Sequence, residues 1–152
     1  MKYIYYYTFP FCKLGIAEEN SAISRIFFEK GKPSKDFEKK ETSLIKKTAK
    51  ELDEYFNGKR KTFDVPVALY GSDFTVKTWE ALCAIPYGET RSYGEVAAMV
   101  GNPKACRAVG LANNRNPIPI IVPCHRVIGK NGSLTGYALG LETKKRLLDH
   151  ER

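Results

Sequence analysis

The sequence predicts an α/β (α+β) chain in two parts, a small sheet domain over residues 1–69 and a helical domain over 70–152. Three observations lead there. Short runs of Tyr, Ile and Phe, separated by turn-prone residues, fill the stretch before residue 30. Beyond Ser43 apolar residues recur at helical spacing in several segments. Finally, the stretch Pro117-Ile-Pro-Ile-Ile-Val-Pro-Cys-His-Arg-Val-Ile-Gly129 fences an apolar run with prolines and ends it on a cysteine beside a histidine.

Residues 3–8, 12–17 and 22–29 read as an antiparallel meander, broken at Pro10 and at Glu18-Glu19-Asn20-Ser21. The charged stretch 30–41, interrupted by Gly31 and Pro33, reads as a solvated loop. Leu44, Ile45, Ala49, Leu52, Tyr55 and Phe56 mark a helix that Asn57-Gly58 stops. The basic run Lys59-Arg60-Lys61 reads as a solvated turn, and Thr62–Leu69, with Pro66, as an extended link that sets the boundary near 70. Residues 73–85 form a second helix with Phe74, Val76, Trp79, Leu82 and Cys83 inward, ended by Pro86. Ser92 and Glu95 have capping-box spacing ahead of Val96–Val100. After Gly101, Asn102 is expected to cap and Pro103 to begin a further helix running to Asn113. Helix, short turn, helix is a helix-turn-helix signal.

The second helix of that pair is unusual for a major-groove reader, because Ala105, Cys106, Ala108 and Gly110 dominate it and only Arg107 is long. Two readings fit equally. A smooth helix with one projecting cation suits a narrow minor groove, and small residues also suit tight packing on neighbouring helices.

Pro117, Pro119 and Pro123 exclude a helix around Cys124, so the apolar residues between them are expected to form a short buried strand. A free cysteine is commonly a small buried hydrophobe; rigid presentation beside His125 favours a nucleophile here. Asn131-Gly132 marks a tight turn, Thr135–Gly140 a glycine-punctuated loop, and 141–151 a last helix. Glu151 edges the inward face of that helix, where a carboxylate requires a partner, either a surface cation or a histidine.

Composition narrows the class. At 43% hydrophobic and 28% charged residues, the chain is that of a soluble globular protein, with no apolar run long enough to span a membrane. The start of the chain turns polar too soon for a signal peptide, so a cytoplasmic, reducing location is expected. Cysteines at 12, 83, 106 and 124 lack the spacing of a metal site or a disulfide framework, so neither metal nor cofactor is expected. The net charge of +8 divides as +3 over residues 1–85 and +5 over 86–152, which suggests a polyanionic partner for the half that holds Cys124.

Pro123-Cys124-His125-Arg126-Val127, with Asn116-Pro117-Ile118-Pro119, Arg107-Ala108-Val109-Gly110, Ser92-Tyr93 and the terminal Leu-Leu-x-x-Glu, resembles the O6-alkylguanine-DNA alkyltransferase (methylated-DNA–protein-cysteine methyltransferase) family. The resemblance is dense over residues 70–152. It implies a ribonuclease-H-like N-terminal domain and a winged-helix-like C-terminal domain. It also implies a monomer that binds double-stranded DNA containing O6-alkylguanine through the minor groove and transfers the alkyl group once, irreversibly, to Cys124. By the same resemblance His125 is a general base acting through water, Glu151 orients it, Asn116 is a hinge, and Tyr93 bonds the departing guanine and rotates the phosphate. Arg107 fills the stack after base flipping, on a helix surface formed by Ala105, Ala108 and Gly110; Tyr93, Val127, Tyr137 and Ala138 line the base pocket. Leu111 and Cys106 depart from common family residues. A binding protein for the same lesion lacks the cysteine, and a transcription regulator would require base-reading side chains. A thiol hydrolase would leave the basic helix pair unexplained.

Overall fold

The computed structural model describes residues 1–28, 36–132 and 140–152. Two compact units divide the chain, Met1–Ala68 and Leu69–Arg152.

In the first unit, β1 (Lys2–Thr8), β2 (Lys13–Glu19) and β3 (Ala22–Phe28) form the expected antiparallel meander. The two-residue β2–β3 turn places Asn20 and Ser21 at positive φ, as a tight hairpin with right-handed strand twist requires. A fourth strand, β4 (Glu38–Lys39), lies within the stretch expected to be loop and pairs parallel with β1, giving the order β3-β2-β1-β4. Its pairing is made by backbone groups, with Lys40 N donating to Ile4 O at 3.0 Å, and so leaves no mark in side-chain pattern. Helix α1 (Ser43–Phe56) turns Ile45, Ala49, Leu52, Tyr55 and Phe56 inward; Thr42 caps it by accepting from Ile45 N. Asn57 is its C-cap, and Gly58 follows at φ 74°, where lack of a Cβ removes the steric penalty. Arg60 is drawn into ion pairs with Glu54 and Asp64, both at 3.2 Å.

In the second unit, α2 (Asp73–Cys83), capped by Ser72, packs with α3 (Tyr93–Met99) and α4 (Cys106–Asn114). Trp79 and Leu82 are buried as expected. Cys83 is exposed, correcting its expected place in the core: it is the helix's last residue, where the chain turns away. The Ser92–Glu95 capping box is present on both sides. The next helix starts later than expected. Asn102 does not cap it: a separate turn comes first, in which Ala105 N donates to Asn102 O at 3.0 Å, and α4 begins at Cys106 without a side-chain cap.

Residues 117–123 do not form a strand. Only an isolated Pro119–Val122 bridge is present, Val122 N donates back to Ile118 O at 2.9 Å, and Ile120 sits at φ 76°. Three prolines leave too few N–H groups for a ladder, so the chain closes on itself and buries Ile118, Ile120 and Val122 in a turn. A β-branched residue in the left-handed region costs about 1–3 kcal/mol and requires surrounding packing to hold it. Cys124–Arg126 then forms one 3₁₀ turn, followed at once by β6 (Val127–Ile128). Strand β6 pairs parallel with β5 (Arg91–Ser92), which runs directly into Tyr93 of α3. One short sheet thereby fixes Tyr93 and the exit from the cysteine turn. Helix α5 (Leu141–His150) packs against that turn.

Candidate active site

Cys124 opens the 3₁₀ turn and is 4% exposed. Successive residues of such a turn point about 120° apart, so Cys124, His125 and Arg126 diverge, and the extended geometry expected at Cys124 is replaced by this tighter one. His125 is fully buried, with Nε2 at 2.7 Å from Glu151 Oε2. A carboxylate only accepts, so Nε2 carries the proton and Nδ1 presents a lone pair. That Nδ1 is buried and has no hydrogen-bond partner among the described residues. Burial holds the His125 pKa below its usual value; the Glu151 bond and charge oppose this, while Arg126 and Lys144 reinforce it.

Glu151 is itself gripped by a buried arginine. Arg126 Nε donates to Oε1 at 2.8 Å and Nη2 to Oε2 at 3.0 Å, while Nη1 donates to Ile85 O at 2.7 Å. This fork fixes both the charge and the orientation of the carboxylate that faces His125. A further buried cation, Lys144 of α5, lies 6.0 Å from the centre of the half-buried Tyr93 ring. Burial pushes its pKa down to about 8, opposed by attraction to Cys124.

Two asparagines hold the cysteine segment. Asn116 Nδ2 donates to Val122 O at 2.7 Å and its Oδ1 accepts from Ile118 N at 2.9 Å, clamping the strained turn ahead of Cys124. Asn113, on the buried face of α4, donates from Nδ2 to Cys124 O at 3.3 Å. The outer face of α4 leaves Arg107, Ala108 and Leu111 exposed, with Ala105 and Gly110 half-buried. Gly110 faces the Tyr93 ring, and a Cβ built on it would lie 3.8 Å away, in ordinary van der Waals contact.

Family models cover nearly the whole chain: 6-O-methylguanine DNA methyltransferase, DNA binding domain, over residues 73–152, and the ribonuclease-like domain of the same methyltransferase over residues 1–69. The chain belongs to the 6-O-methylguanine DNA methyltransferase family. A methylated-DNA–protein-cysteine methyltransferase of Methanosarcina acetivorans is 50% identical over 97% of this chain and 98% of its own length. The constitutive one of Bacillus subtilis is 50% identical over 94% of this chain and 91% of its own. A crystal structure of Mycobacterium tuberculosis OGT in complex with DNA superposes with a TM-score of 0.92 at 42% identity, covering 98% of this chain and 92% of that one.

In this methyltransferase-family chain the structure pairs His125 with Glu151 in the turn that Cys124 opens, clamps the segment ahead of Cys124 with Asn116, and buries Val127 immediately after the turn. Arg107 stands apart from that cluster on the open face of α4. Tyr137 and Ala138 lie outside the described residues. Arg126, Lys144 and Asn113 join the site with no role expected for them from sequence. Signals existed for two of them: Lys144 is three residues before Leu147 and seven before Glu151, on the inward face of α5, and Asn113 is four after Val109 on that of α4.

Proposed function

We propose that the chain repairs DNA by direct reversal, with Cys124 as the single-use acceptor of the alkyl group from O6 of guanine. The carrying observation is the buried Cys124–His125–Glu151 arrangement, in which Glu151 holds the His125 proton on Nε2 and leaves Nδ1 basic. The thiol proton passes to His125 Nδ1 through a water. The thiolate then attacks the alkyl carbon: an S–C bond forms as the C–O6 bond breaks, the electron pair leaves on the guanine, and a proton returns to the base. Lys144 supplies positive charge for the thiolate, since Arg126 and Glu151 offset each other. Tyr93, Val127, Tyr137 and Ala138 hold the extruded base.

Arg107, with Ala105, Ala108 and Gly110 around it, occupies the minor groove and fills the space the flipped nucleotide leaves. The groups named here lie in 70–152, and residues 1–69 form a separate domain. One chain supplies them all, so a monomer suffices for the reaction. Among the described residues no helix is long and apolar enough to cross a membrane; a cytoplasmic, reducing location keeps the acceptor thiol available.

Intact-mass analysis after incubation with duplex DNA containing O6-methylguanine tests the reading. One methyl group gained, mapped to the peptide containing Cys124, is expected. Retained transfer to protein in Cys124→Ala overturns the assignment of the acceptor.

A further inference from the structure

Asn113 is 2% exposed and lies with Val109 and Ala112 on the inward face of α4. Its Nδ2 has one possible orientation, because the Cys124 carbonyl it meets at 3.3 Å can only accept. Its Oδ1 is therefore the remaining atom, and it is buried with no partner among the described residues. Leaving an amide oxygen unmatched in the interior costs about 1–3 kcal/mol, and asparagine is a weak helix former. A leucine of similar size would suit this face of α4 better on both counts. Among the described residues the buried side-chain atoms without a partner are Ser24 Oγ, Asn113 Oδ1 and His125 Nδ1, and the last two belong to residues that hold or follow Cys124. Asn116 behaves differently: both ends of its amide are bonded.

We propose that Asn113 is a positioning residue for alkyl transfer, fixing the Cys124–His125 peptide directly to the helix that carries Arg107. The inference rests on the proposed function and deepens it. Helix α4 then does two things at once: its outer face meets DNA through Arg107, and six residues further on its inner face holds the backbone of the acceptor. The stability cost of the half-satisfied amide is retained because the bond it does make sets the direction of the sulfur. Positioning of this kind affects the rate of a bound complex rather than its affinity.

The experiment compares wild type, Asn113→Leu and Asn113→Ala as full-length chains, reading Tm, Kd for unmodified duplex, and the single-turnover rate with duplex containing O6-methylguanine. For Asn113→Leu the Tm is expected to equal or exceed that of wild type and Kd to stay within about twofold, while the rate falls about tenfold (~1.4 kcal/mol). Asn113→Ala, which cannot overpack the site, is expected to lose a similar factor in rate whatever its Tm. A folded Asn113→Leu or Asn113→Ala variant that transfers within about twofold of wild type overturns the inference, and so does a rate loss that parallels a fall in Tm across both variants. If wild type itself gains no methyl group in the same assay, the proposed function fails rather than the role of Asn113.

Discussion

His125 Nε2 and Glu151 Oε2 lie 2.7 Å apart, with both side chains shut off from solvent. Because burial holds the His125 pKa below 6.5, the ring is neutral at pH 7 and Nδ1 can accept a proton. The transfer rate is expected to level off near neutrality and to fall along an acid limb centred below 6.5. His125→Ala should lose that limb and react about 10²–10⁴-fold more slowly. Single-turnover rates across pH check this, and a profile unchanged in the variant contradicts the role of His125 as base.

Glu151 and Arg126 form a buried pair, 4% and 6% exposed. Glu151→Gln leaves the guanidinium buried without its counter-charge and is expected to cost about 3–5 kcal/mol in urea unfolding. The double variant Glu151→Gln with Arg126→Met should recover part of that loss. A double variant whose loss equals the sum of the Glu151→Gln and Arg126→Met losses would mean that the pair carries no coupling.

Stability should depend on pH in two windows. For His125 the unfolded chain, with a pKa near 6.5, binds a proton that the folded chain refuses; stability is present above that value and falls as pH drops through the lowered folded pKa. For Lys144 the folded value of about 8 lies below the ordinary 10.5, so stability rises as pH climbs between them. Lys144→Met is expected to flatten the slope in this upper window and to leave the lower one in place. Urea midpoints from pH 5 to 10.5 measure both windows.

Arg107 projects from α4 into solvent, away from the buried cluster. Arg107→Ala is expected to slow reaction with duplex DNA while leaving reaction with the free base O6-methylguanine unchanged. Equal losses on the two substrates would refute its role in the groove. Binding should weaken steeply with salt and change little with sequence, since phosphate contacts supply most of it.

Asn116→Ala removes the clamp on Ile118 N and Val122 O, and Ile120 at φ 76° depends on that clamp. A loss of about 1–3 kcal/mol is expected by urea unfolding. A wild-type midpoint in this variant would mean that packing alone holds the turn.

Local chemistry made much of the molecule legible. The meander, α1, the Ser92–Glu95 capping box and the Pro123–Val127 motif follow from periodicity, caps and prolines acting over a few residues, and so they can be read along the chain. Other features depend on what packs against them from far away in sequence. Glu151 could have faced solvent; the placement of α5 against the 3₁₀ turn gave it His125 and Arg126 as partners. The same limit hid β4, moved the start of α4 to Cys106, turned the expected strand before Cys124 into a strained loop, and left Cys83 exposed. The sequence by itself determined which residues are chemically able to accept an alkyl group. Tertiary structure decided which lone pair, cation and amide face them, because burial and pairing energies exist only once distant segments meet.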